Sequence, residues 1–107
     1  MRIRLMAPML AASLALIAGP GAAQERDPGR NLAAQCANCH GTNGNALPGM
    51  PPLAGRSKDE LVRIMGEFKS GARSGAQGTL MPQLAKGYSD EQIALMADYF
   101  SRQKPGP

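Results

Sequence analysis

"CANCH", residues 36–40, places both cysteines of the chain and its single histidine within one short stretch. Two thiols and an imidazole this close can form a disulfide beside a bystander histidine, ligate a metal ion, or anchor a prosthetic group. Five letters do not choose among these. The choice depends on what the rest of the chain supplies: further ligands, a frame for redox chemistry, or loops that need something to wrap.

The N-terminus is set apart from the fold. "MRIR" is a basic start, "LMAPMLAASLALIAG" an apolar run and "PGAA" a small-residue end, the pattern of a secretory signal cleaved near Ala23. The run is shorter than the roughly 20 residues needed to span a bilayer, so no stable membrane anchor is expected; an uncleaved anchor is the alternative. Residues 1–23 are therefore assigned to the signal and 24–107 to one domain, which leaves 84 of the 107 residues to fold. A domain of that size buries a modest core and often relies on a disulfide, a metal or a cofactor. The formal charge of +4 falls to +2 once Arg2 and Arg4 are removed, and aromatic residues are few, with no Trp. No basic stripe interleaved with rings exists, which argues against nucleic acid as a partner.

The folded part reads as helices and long loops. Asp27 can cap a helix with Pro28 at its first position, predicted over about residues 28–38 with Leu32, Ala33 and Cys36 on one side. Gly29 inside it marks either a frayed first turn or a close helix crossing. "GTNGNALPGMPPLAG" (41–55), with four glycines and three prolines, reads as loop. Ser57 with Glu60 reads as a capping box before Leu61, Ile64, Met65 and Phe68 at helical spacing, and Gly71 is a natural stop. "SGARSGAQGTLMPQLAKG" (70–87) reads as a second loop. Ser89 with Gln92 opens the last helix, with Ile93, Met96, Ala97 and Phe100 on one stripe and Leu95 with Tyr99 on another. No segment alternates with period two. The fold class is all-α: three principal helices joined by loops too long for a compact domain unless they wrap something.

This frame discriminates among the chemistries of the motif. A structural zinc site takes four ligands, and two cysteines with one histidine are one short. A redox disulfide of the C-x-x-C type belongs beside a β-α-β pattern, which is absent. Covalent haem attachment uses every feature. Cys36 and Cys39, one turn apart, can form thioethers with the two haem vinyl groups, and His40 follows as an iron ligand. Export suits an attachment made outside the cytoplasm. With no second histidine, the sixth ligand is expected to be methionine. Met65 and Met96 lie on apolar stripes and read as core; Met50 and Met81 lie in loops before proline. Met50 is ten residues from His40, too close to travel round the haem to its far face, and reads as a wall of the pocket. Met81, 41 residues on, is the expected ligand.

These residues resemble class I cytochromes c over residues 28–102: Gly29 and Leu32 ahead of "CANCHG", then "PPLAG", "FKSGAR", "LMPQLAKGYSDEQI" and "MADYFSRQ". The resemblance implies a class I cytochrome c fold wrapped around one covalently attached haem c. It implies that the first and last helices cross at Gly29 against Tyr99 or Phe100. It also implies that the carbonyl of Pro51 accepts a hydrogen bond from the second ring nitrogen of His40. "FKSGAR" and "KGYSDEQIALMADYFSRQ" are most similar to cytochrome subunits of flavocytochrome c sulfide dehydrogenases, and next to half-domains of small dihaem cytochromes. The implied role is periplasmic one-electron transfer, with a flavoprotein sulfide dehydrogenase as partner and other redox proteins as acceptors. A freely diffusing carrier is the alternative, and a catalytic or sensory haem protein with a labile Met81 a further one. His/Met ligation leaves no position open for substrate. Lys58, Lys69, Arg73 and Lys86 flank the loops as a candidate docking face, Arg73 within reach of a propionate, or are solvated surface charges.

Overall fold

In the computed structural model, residues 27–75 and 78–107 are described, so the expected signal at 1–23 lies outside the described residues. Asp27 caps α1 (Pro28–Ala33): its side chain accepts a 3.0 Å hydrogen bond from the amide of Arg30, with Pro28 in the first turn where no amide is needed. The right-handed run continues through a 3₁₀ turn, Ala34–Cys36, into α2 (Ala37–His40), two residues beyond the predicted end. Gly41, at φ 77°, terminates it in a backbone conformation that disfavours a side chain. A second 3₁₀ turn, Thr42–Gly44, stands where the composition predicted only loop.

Ser57 accepts from the amide of Glu60 and opens α3 (Lys58–Ser70), but the expected box is half formed. The carboxylate of Glu60 turns to Arg56, 2.6 Å away, because an ion pair one turn back offers a stronger partner than a backbone amide. Gly71, left-handed at φ 83°, closes the helix as its sequence position predicts. The loop expected over 70–87 is corrected in its second half: Leu80–Lys86 forms α4. A residue before proline is biased away from helix, which argued for loop; Pro82 falls in the first turn, where its missing amide costs nothing. Ser89 and Gln92 make the full reciprocal box at the start of α5 (Asp90–Ser101), with bonds of 3.1 and 2.9 Å.

Helix α5 is the hub, packing on α1 and α3, while α4 packs on α3. Among the described residues there is no strand beyond an isolated bridge between Gly75 and Gly78. The expected all-α architecture thus holds, with a fourth substantial helix. Gly29 is the crossing point of α1 and α5: a Cβ there would lie 2.5 Å from the carbonyl oxygen of Leu95 and 3.3 Å from Cβ of Tyr99. Tyr99, not Phe100, is the aromatic residue pressed against it. Arg102 closes the same crossing, reaching Asp98 at 3.0 Å and Asp27 at 3.6 Å. The core gathers Ala33, Leu61, Ala97, Tyr99 and Phe100, with Cys36, Leu53 and Val62 half-buried around them. Ile93 and Met96 are buried as their stripe predicts, whereas Met65 is only half-buried and Leu95 is 39% exposed.

Candidate functional site

The run α1 to α2 carries the site because its helical phase puts Cys36 and Cys39 one turn apart and ends on His40. Cys36 packs half-buried on the core while Cys39 is exposed, and both are free thiols. Burial pushes the Cys36 thiol up from its ordinary value, and the neighbouring Cys39 adds to this against the opposing backbone hydrogen bond. Among the described residues no three His, Cys, Asp or Glu side chains converge, so the motif does not assemble a protein-only metal cage.

After His40 the chain turns sharply and returns. Gly44 accepts hydrogen bonds from the amides of Leu53 (2.9 Å) and Ala54 (3.2 Å), folding 41–55 into a closed loop. That closure brings the carbonyl of Pro51 to 2.8 Å from Nδ1 of His40. A carbonyl can only accept, so Nδ1 carries the proton and Nε2 is the ring nitrogen left with its lone pair for a metal. The donor set therefore fits the haem-attachment chemistry: two unpaired thiols at one-turn spacing, followed by an imidazole whose orientation and tautomer are fixed by the chain.

The methionines sort as follows. Met81 lies in the first turn of α4, not in a loop, and is half-buried. Cβ of Met81 and the ring of Phe68 both lie 3.9 Å from the position a Cβ would take at Gly75, so α3, α4 and the 71–75 turn meet beside it. Met50 is half-buried on the loop that carries Pro51, its amide bonded to the carbonyl of Leu47 at 3.2 Å. Leu47, Leu80 and Leu84 are large exposed apolar side chains on the two segments that carry Met50 and Met81.

Two of the four flanking cations are engaged within the chain. Lys69 donates to the carbonyl of Tyr88 (2.8 Å) and to Asp90 (3.1 Å). Arg73 pairs with Glu67 at 2.7 Å and lies over the Phe68 ring at 5.9 Å. The Arg73 and Arg63 guanidinium groups hold the Glu67 carboxyl below its ordinary value. Lys58 and Lys86 stay exposed. A contact that motif reading passed over is the 2.6 Å hydrogen bond from the hydroxyl of Tyr99 to the side chain of Asn43. Its trace in the sequence is the Asn-Gly pair at 43–44, a common marker of left-handed backbone.

The family described as cytochrome c oxidase, cbb3-type, subunit III matches residues 23–100 of this chain. The chain belongs to this family of c-type cytochromes. It is 40% identical over 72 residues to the cytochrome subunit of sulfide dehydrogenase of Chlorobaculum tepidum, covering 67% of this chain and 63% of that protein. It is 39% identical over 77 residues to cytochrome c-554(548) of Halomonas halodenitrificans, covering 71% of this chain and 93% of that one. With cytochrome c4 of Azotobacter vinelandii it shares 37% identity over 91 residues, 78% of this chain but 43% of the other. The chain thus spans less than two thirds of the first and third of these relatives, and nearly all of the second. This c-type cytochrome carries covalently bound haem c. Among the described residues no helix is long and apolar enough to cross a membrane.

Proposed function

We propose that this cytochrome is a periplasmic monohaem electron-transfer protein in which Cys36 and Cys39 hold the haem, His40 and Met81 ligate the iron and the Pro51 carbonyl orients His40. The haem, when bound, supplies the one-electron couple; the chain supplies its attachment, its axial ligands and a fixed ring orientation. The observation that carries this reading is the 2.8 Å contact between Nδ1 of His40 and the Pro51 carbonyl, which leaves the lone pair of the other ring nitrogen available to a metal. Export rests on the basic, apolar and small-residue pattern of residues 1–23. Extraction of the native protein with acidified acetone tests the attachment. Colour retained on the protein is the expected result, and colour lost to the solvent overturns the thioethers.

For a partner, the proposal is a flavoprotein sulfide dehydrogenase that passes electrons to this haem. It rests on the similarity to the Chlorobaculum tepidum subunit, and the exposed Leu47, Leu80 and Leu84 suit a haem edge covered by a stable partner. A second reading, a freely diffusing carrier, is favoured by the 93% coverage of cytochrome c-554(548), whose whole length this chain nearly spans. Reduction by sulfide separates the two. If the purified cytochrome is reduced much faster with the candidate flavoprotein than without it, and the pair stays together at physiological salt, the subunit reading holds. Equal rates and no stable complex return it to the general carriers.

A further inference from the structure

Asn43 is the one non-glycine among the described residues with a left-handed backbone (φ 55°, ψ 24°), three positions after His40. Residues with a side chain rarely occupy this region, and asparagine tolerates it best. Its side-chain oxygen accepts the 2.6 Å hydrogen bond from the Tyr99 hydroxyl, a bond that runs from α5 to the turn across the half-buried edge of the core. The next residue, Gly44, is clamped. A Cβ there would meet the Ala54 amide at 2.8 Å and both Cβ of Leu53 and Cδ1 of Phe100 at 2.9 Å. The Gly44 carbonyl in turn holds the amides of Leu53 and Ala54, and two residues before Leu53 stands Pro51, whose carbonyl meets His40.

We propose that Tyr99 and Asn43 are positioning residues for His40: the Tyr99 hydroxyl fixes the 43–44 turn, and the turn sets the Pro51 carbonyl on Nδ1. This rests on the reading of His40 as an iron ligand. Tyr99 is buried in the core with its ring edge-on to Phe100 at 5.4 Å and its Cβ beside Gly29, packing that phenylalanine would keep; the hydrogen bond of the hydroxyl goes to the turn. The imidazole orientation is thereby tied to the last helix instead of to the exposed loop tip.

The test uses the holoprotein and the variants Tyr99→Phe, Asn43→Gly and both together. Asn43→Gly keeps the left-handed backbone and removes the acceptor, so it serves where one variant folds poorly. Proton NMR reads two signatures: solvent exchange of the His40 Nδ1 proton relative to the amides of α3, and the hyperfine-shifted resonances of the ferric protein, which report ring orientation. The expected result is ring-proton exchange about tenfold faster in each single variant at unchanged α3 exchange, the order set by one ordinary hydrogen bond. The double variant should add nothing, since both changes remove the same bond. Unchanged ring exchange, or ring and α3 exchange rising together, overturns the proposal and leaves the ligand assignment standing. Absence of hyperfine-shifted histidine resonances in the wild-type protein overturns the ligand assignment and the proposal with it.

Discussion

Met81 and Met50 pose the same chemistry from two places in the chain, and their supports separate them. Met50 rides the loop that folds back onto the Nδ1 side of His40, tied by Pro51 to the histidine's own side of the site. Met81 stands on a helical turn anchored by Ala85, which is fully buried, on elements reached only after α3. Met81→Ala is expected to abolish the weak far-red absorption band of a methionine-ligated ferric haem, while Met50→Ala keeps it; the opposite pattern moves the ligand to Met50. Glu67 carries a prediction in pH. Its folded-state pKa is depressed by Arg73 and Arg63, so its contribution is present above the unfolded value near 4.5 and is lost as pH falls through the folded one. Thermal melts of wild type and Glu67→Gln should differ at pH 7 and converge below that range. A difference that persists into acid would mean the two guanidinium groups do not act through this carboxylate.

At the scale of elements, two glycines in helices make opposite predictions. Gly29→Ala drives a methyl to 2.5 Å from the Leu95 carbonyl, a backbone atom that cannot swing aside, so a loss of about 1–3 kcal/mol is expected from overpacking at the α1–α5 crossing. Gly66, exposed in the middle of α3, has nothing within 4 Å of the same added atom, so Gly66→Ala should gain about 0.5–1 kcal/mol from helix propensity alone. Thermal denaturation of the two holoproteins checks both signs at once. Gly29 also shows where sequence stops being legible: local reasoning left a frayed turn and a crossing equally open, because the atom that decides it belongs to a helix more than sixty positions away. Local chemistry was readable where it is self-contained, as in the Asp27 cap, the Ser89 box and the Gly71 stop. It failed where a competitor was non-local or ambiguous. Glu60 preferred Arg56 to its own cap, and Pro82 in "LMPQ" fits a first helical turn as well as a loop. The motif residues were legible for a different reason: the chain has only one histidine and two cysteines, so composition left the site little freedom. The Tyr99–Asn43 bond, spanning 56 positions, had no such constraint to reveal it.

The molecule as a whole is short of core. Among the described residues, four of the nine buried apolar ones are alanines (Ala33, Ala54, Ala85 and Ala97), and no large side chain is fully buried. Alanine contributes little apolar area, and burial stabilises by only about 25 cal/mol per Å². Against this stands a backbone ordering cost of about 1–2 kcal/mol per residue, which the long 41–55 loop incurs with few core contacts of its own. Helix contacts run mainly between α1, α3, α4 and α5, while the 41–55 loop is held by hydrogen bonds at Gly44, Asn45 and Gly55. Such bonds are worth about 0.5–1.5 kcal/mol each in net terms, too little to order the loop alone. A cofactor whose non-covalent contacts form only with the folded chain makes up the difference, and covalent attachment, which persists in the unfolded chain, keeps its effective concentration independent of dilution. The protein with Cys36→Ala and Cys39→Ala, prepared without haem, is therefore expected to have lost most of its helical circular dichroism and to melt without a cooperative transition. Adding free haem to it should restore helicity only in part and in proportion to haem concentration, because binding through the proposed ligands His40 and Met81 alone is reversible. Native helicity with a sharp melt in the haem-free protein would show that the packing of α1 and α3 on α5 suffices, and that the cofactor serves electron transfer without holding up the fold.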